Sequence, residues 1–224
     1  MPADPAQLLV WTDIDPAHEA EFNRWYDREH MQERVRIPGF GRAGRYRAVG
    51  AQRRYLALYR TADLGVFRSD AYRQAFANQT PWSVQNFARM RDPLRRVGLV
   101  TLRGGAGIGG CLALLPFMPP SDPEAVSARR DAIRGTVLPS LLAADGVVAA
   151  HLMETDPALS TPIAPDAAAR LAPPAEWFLV VEATDPDALH EAGRLAVTAL
   201  GLQAGDLATF RLLWSLDGGD LGVA

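Results

Sequence analysis

The stretch RWYDREHMQERVRIPGF, residues 24–40, decides how the chain is read. Trp25 and Tyr26 stand four residues ahead of Glu29 and His30, the spacing of one helical turn. Upstream, Asp15-Pro16 supplies a cap residue and a first-turn proline, so a helix opens there. Phe22, Trp25, Tyr26 and His30 then recur at three- and four-residue spacing. Pro38-Gly39 is a turn signal that closes the segment. Before the helix, QLLVWTDI (7–14) reads as a buried strand. After it, FGRAGRYRAV (40–49) and RRYLALYRT (53–61) read as two strands joined by a short turn at 50–52. Residues 63–78 read as a second helix broken near Ser69-Asp70, and 94–104 as a fourth strand. The order is β-α-β-β-α-β, the split βαβ of ferredoxin-like folds.

The second half gives the same order. Residues 110–118 form an apolar strand pattern, and 121–144 a helix opened by Ser121 with Glu124 three residues on. Pro139 predicts a kink or early end, and Gly146 is the turn glycine. Strands over 147–155 and 176–184, a helix over 185–200 and a strand over 206–216 follow. The Pro/Ala-rich segment 156–176 predicts a long exposed loop. The fold class expected is α+β: two tandem ferredoxin-like βαββαβ repeats, 1–104 and 105–224, packing sheet to sheet as an intramolecular pseudo-dimeric α/β barrel. A four-stranded sheet with helices on one face leaves the other face bare, and the second sheet covers it. The cleft between the sheets is then the expected ligand site.

Composition narrows function. The chain has 224 residues, 48% hydrophobic and 22% charged, with a formal net charge of −3. No global basic field attracts nucleic acid. The six arginines between Arg42 and Arg60 read as charged outer faces of a strand pair. The single cysteine, Cys111, lies in an apolar run; it excludes an internal disulfide, fits a reducing compartment, and reads as a buried small hydrophobe. No apolar stretch approaches ~20 residues, so no membrane span is expected. The N-terminus lacks a basic region followed by an apolar core, and a cytoplasmic location is expected. RGGAGIGGC (103–111) is not ordered as a phosphate loop and reads as the link between halves.

Trp25-Tyr26-Asp27-Arg28-Glu29-His30, then Pro38-Gly39-Phe40, then Arg45-Tyr46, resembles the EthD-like branch of the dimeric α/β-barrel superfamily. The likeness covers about the first 60 residues, with a weaker echo over 69–82. It implies a ferredoxin-like sheet paired with another, here within one chain. It also implies a cofactor-independent enzyme on small, aromatic or polyketide-like molecules, of dehydratase, decarboxylase, isomerase or monooxygenase type. More distant relatives bind haem. The second half lacks the motif: Val137 stands where the first half has His30, so the chemistry is expected in the first half alone.

The expected function is a lyase or isomerase acting on a small apolar or aromatic carbonyl compound, with no cofactor and no metal. His30 is the candidate general acid/base, since an imidazole titrates near neutrality. The competing reading makes it a cap on the helix's last carbonyls. Tyr26, one turn before His30, is a candidate catalytic hydrogen-bond donor, and Arg34 lies one turn after on the same side. Arg45 is a candidate oxyanion or carboxylate grip, although Arg45 and Tyr46 face opposite ways on their strand. Trp11, Trp25, Tyr46, Tyr55 and Trp82 are candidates for walling the substrate, with Tyr59 on the face of Tyr55 and Trp214 elsewhere. Asp27, Glu29, His30 and Glu33 cluster on one helix without a defined metal pattern. Two alternatives stand beside the enzyme: a non-catalytic small-ligand binder, and a haem protein using His151 or His30. Nucleic acid and membrane are not expected partners; a small-molecule substrate is, and a homodimer is compatible with the resemblance.

Overall fold

The apolar run at the start of the chain forms β1 (Ala6–Ile14), whose alternation sends successive side chains to opposite faces. The structure, a computed structural model, describes residues 5–161 and 173–221. β1 is followed by α1 (19–35), β2 (Phe40–Gly50), β3 (Tyr55–Thr61), α2 (Asp70–Ala77), α3 (Pro81–Arg89) and β4 (Met90–Gly105). The second half runs β5 (Cys111–Phe117), α4 (123–142), β6 (Val147–Thr155), the short α5 (Pro157–Ser160), β7 (Trp177–Ala183), α6 (Pro186–Leu200) and β8 (Ala208–Asp217). The strands close into one antiparallel barrel in the order β1-β3-β2-β8-β5-β7-β6-β4. Its seams are β2 with β8 and β4 with β6. Each strand has a partner on both sides, so no edge is left open to a foreign strand.

Alternation divides the apolar residues among three cores. Leu9, Trp11, Tyr46, Leu56, Leu58, Leu112, Leu114, Met153, Phe178, Val180 and Phe210 fill the barrel. Leu8, Ala57 and Tyr59, on the opposite faces of β1 and β3, pack beneath α1 with Phe22, Trp25 and Met31. A third core joins the second-half strands to α4 and α6. The cleft expected between the sheets is therefore packed solid. A gap of about 20 Å³ stays open beside Gln7, Tyr46, His151 and Glu182, room for roughly one water.

Local signals explain most boundaries. Asp15 caps the entry to α1 by accepting from the Ala17 N–H. Ser69 caps α2, so the expected break there is a helix start after a short 3₁₀ segment, Leu64–Arg68. Gly39 turns at φ +92°, and a Cβ there would meet Val66 Cγ2 at 2.5 Å. Three expectations need correction. α4 is capped by Asp122, not Ser121, with Pro123 in its first turn. Pro139 neither ends nor breaks that helix, which continues to Leu142; a π-helical turn at Ile133–Val137 precedes the proline. An unforeseen helix, α3, occupies Pro81–Arg89, capped by Thr80. Of the loop expected over 156–176, residues 157–160 form α5, and 162–172 lie outside the described residues. Among the described residues no helix is long and apolar enough to cross a membrane.

Candidate functional site

A π-helical turn shapes the site. Over Tyr26–His30 the backbone of α1 widens, and the Met31 N–H donates to the Tyr26 carbonyl five residues back. In an unbroken α-helix, residues five apart diverge by about 140° around the axis. The wider turn instead brings Trp25 and His30 face to face, with ring centroids 4.2 Å apart. Such insertions are frequent at functional sites. The Trp25 indole is held in turn by a hydrogen bond from Nε1 to Ser83 Oγ at 3.0 Å on α3. Tyr26 and Phe87 pack edge-on against the imidazole at 5.0 and 5.3 Å. His30 is thus fixed on three sides and only 5% exposed. It does not cap the helix end.

Beside it lies a cavity of about 330 Å³, outside the barrel, between the sheet and the three helices of the first half. α1 contributes Tyr26, His30 and Arg34; β1 and β3 contribute Leu8, Val10 and Tyr59; the α2–α3 region contributes Phe76, Gln79 and Phe87; β4 contributes Met90, Pro93 and Arg95. The walls are mainly apolar with a few convergent polar groups, the usual make-up of a small-molecule site. Among the described residues, three buried polar atoms here have no hydrogen-bond partner: His30 Nδ1 and Arg34 Nε and Nη1. The Tyr59 hydroxyl lies beside that of Tyr26.

Burial sets the protonation states. It holds the His30 pKa well below that of a free imidazole, helped by the positive charges of Arg34 and Arg45. The ring is neutral at neutral pH. Burial also raises Tyr26, against the pull of Arg45, and raises Tyr59 well above an ordinary phenol. Glu33 Oε2 stands 3.9 Å from His30 Nδ1, beyond hydrogen-bond distance.

The sequence candidates separate into groups. Tyr26 and His30 lie on the cavity wall. Trp25 stacks behind His30. Arg45 sits behind Tyr26, its guanidinium 4.1 Å from that ring's centroid, and spends its donors on Asn23 Oδ1 (2.7 Å) and Asp27 Oδ1 (3.1 Å). Trp11 and Tyr46 point the other way, into the barrel. Tyr55 donates to Glu19 Oε1, and Trp82 Nε1 to Glu21 Oε1, both away from the cavity lining. Trp214 donates to Asp27. Tyr59, named in the sequence beside Tyr55, is on the wall. Phe76, Phe87 and Arg95 are wall residues that the site reading of the sequence did not include. The Asp27–Glu33 cluster disperses: Asp27 turns to Arg45, and Glu29 to Thr80 and Ser83. Among the described residues no three His, Cys, Asp or Glu side chains converge as a metal site. Cys111 is buried, and burial pushes its thiol up.

A second hollow, about 400 Å³, opens at the β4–β6 seam beside Arg60, Arg103 and His151. None of its lining residues has an unpartnered buried polar atom. The histidines fit haem poorly. His151 Nε2 is engaged with Gln7 Oε1 at 2.7 Å, and the His30 ring is packed against three aromatics, Trp25, Tyr26 and Phe87.

No family model matches the chain, and no curated protein matches it in sequence. Solved structures do match over its whole length. An anthrone oxidase-like protein is 13% identical with a TM-score of 0.63, covering 99% of this chain and 96% of its own. A protein from Fusobacterium nucleatum, provisionally described as a monooxygenase, is 11% identical with a TM-score of 0.61, covering 97% and 96%. A chlorite dismutase variant from Candidatus Nitrospira defluvii is 10% identical with a TM-score of 0.52, covering 94% and 92%. The fold is that of the dimeric α/β barrels. At these identities the likeness is one of dimeric α/β-barrel architecture alone.

Proposed function

We propose that the chain is a cofactor-independent small-molecule enzyme of the EthD-like kind, with His30 as its general base. The observation that carries this is a neutral, immobilised imidazole on the wall of an apolar cavity, its Nδ1 directed toward Glu33. The step is a proton transfer. His30 Nε2 removes a proton from a carbon conjugated with the carbonyl of a small aromatic compound. The Tyr26 and Tyr59 hydroxyls, kept protonated by burial, donate to the oxygen on which negative charge develops. Return of the proton to another carbon is isomerisation, and loss of a leaving group completes a lyase reaction.

A second reading is favoured by the names of two structural neighbours, an anthrone oxidase-like protein and a protein described as a monooxygenase. The same carbanion, met by dioxygen, is oxidised: an anthrone and one O₂ give an anthraquinone and one water. Anthrone offered with and without air separates the readings. Oxygen-dependent quinone formation that falls at least tenfold in His30→Gln supports the oxidase. His30-dependent turnover only of substrates with a leaving group or a migrating double bond supports the lyase or isomerase. Turnover that is indifferent to His30→Gln refutes both, and saturable binding with no turnover of any substrate favours a ligand-binding role.

The halves are proposed to be tandem copies, 1–104 and 105–224, the second acting as the structural partner that closes the barrel. The π-helical turns support this, since each begins at the same distance before its turn glycine, 26 to 39 and 133 to 146. In the second copy that turn carries Ile133 and Val137, which pack into the core.

A further inference from the structure

Among the described residues, Arg34 is a buried cation without a counter-ion. Its side chain is on the cavity wall, the residue is 3% exposed, and it makes neither an ion pair nor a hydrogen bond among the described residues. Its one polar-type contact is with the face of Phe76, 4.6 Å from guanidinium carbon to ring centroid. A histidine or lysine in such a place escapes the cost of burial by losing its proton. An arginine does not, because its guanidinium stays charged. The carboxylates of the neighbourhood are committed elsewhere: Glu29 to Thr80 and Ser83, Glu33 to Ser83 and the His30 side, Asp27 to Arg45. Arg95, across the cavity, adds a second positive charge, but its terminal nitrogens already donate to the Leu159 carbonyl and the Tyr72 hydroxyl.

We infer that the substrate of this site carries a carboxylate, and that Arg34 receives it. The inference rests on the cavity being the active site and names the class of molecule it takes: a small aromatic or alicyclic carboxylate with its reactive carbon toward His30. A monoanion suits the site better than a phosphate. A planar guanidinium without a protein partner matches a planar two-oxygen acceptor, and most of the remaining wall is apolar. Arg34 lies one turn beyond His30 on the same helix, so anchoring at Arg34 sets the distance from the anchored group to the base.

The test is calorimetric titration of the purified chain with benzoate, benzyl alcohol and phenylphosphonate, repeated on Arg34→Gln, Arg34→Lys and His30→Gln. The account expects benzoate to bind wild type at least tenfold more tightly than benzyl alcohol and phenylphosphonate. Arg34→Gln should lose that preference, Arg34→Lys should keep part of it, and His30→Gln should keep all of it. Retention of benzoate binding in His30→Gln, with no His30-dependent turnover of any substrate, would leave the carboxylate site standing and remove the proposed catalysis. Benzoate affinity within twofold in Arg34→Gln, no benzoate binding to wild type, or tighter binding of the phosphonate would each overturn the inference. Thermal unfolding of each variant checks that it is folded.

Discussion

The Trp25 indole and the His30 imidazole lie stacked, 28° from parallel, although five residues separate them on one helix. The π-helical turn makes that contact, and the hydrogen bond from Trp25 to Ser83 locks it to α3. Replacing Trp25 by Phe removes the hydrogen bond and part of a fully buried ring. The expected cost is about 2 kcal/mol, read as a lower denaturation midpoint. The His30 ring protons should also move downfield in the NMR spectrum as the indole ring current is lost. An unchanged midpoint and unchanged shifts would show that the stack is not what holds the imidazole.

Two buried histidines tie stability to pH. His30 is held well below the ordinary imidazole value, and His151 is pushed down to about 3, in both cases first by burial. Both are neutral in the folded chain while the unfolded chain protonates near pH 6.5. As pH falls below that value the unfolded state binds protons the folded state refuses, so stability drops. Each histidine contributes a slope of roughly 1.4 kcal/mol per pH unit, ending at its folded pKa. Above pH 6.5 the effect vanishes. Unfolding free energies of wild type and His151→Asn, measured between pH 7.5 and 4.5, should converge by about that slope as pH falls; parallel curves would contradict it.

Arg34 should oppose folding while it has no anion. Arg34→Met keeps the length and apolar stem and removes the unpaired charge. It is expected to raise the unfolding free energy by about 1–3 kcal/mol. Addition of benzoate should stabilise wild type and leave the methionine variant unmoved. A methionine variant less stable than wild type would mean that the guanidinium already has a stabilising partner.

Arg45 has the opposite character. It is 1% exposed, but its donors reach Asn23 and Asp27, and it lies over Tyr26. Lysine supplies the charge without the planar fork, so Arg45→Lys should cost about 2–3 kcal/mol. Because it touches Tyr26 but does not itself line the cavity, its effect on turnover should act through Tyr26 and be smaller than that of His30→Gln. A folded variant as inactive as His30→Gln would place Arg45 among the groups that meet substrate.

Local rules made much of this molecule legible. Strand alternation in 7–14 and 53–61, the cap at Asp15 and the turn at Gly39 were enough for the β-α-β-β-α-β order. The same alternation put Arg45 and Tyr46 on opposite faces, but it does not say which face is filled. That depends on the inward residues of both halves together, and Leu112, Leu114, Phe178 and Phe210 occupy the space where a cleft was expected. The Thr80-Pro81 pair carried a helix-start signal for α3 that went unread in a short polar segment. The π-helical turn escaped because a 3.6-residue template separates Trp25 from His30. The isolation of Arg34 was invisible in sequence, since a missing partner is a property of the packed state.

The central claim is that His30 takes a proton from carbon in the cavity beside α1. Deuterium exchange into the methylene of anthrone in D₂O under argon, followed by NMR, measures that step apart from any later chemistry. The account predicts that wild type accelerates exchange by ~10²-fold or more over buffer and that His30→Gln returns it to near the buffer rate. Exchange in the folded His30→Gln variant within a few-fold of wild type, or no acceleration by wild type, would contradict it.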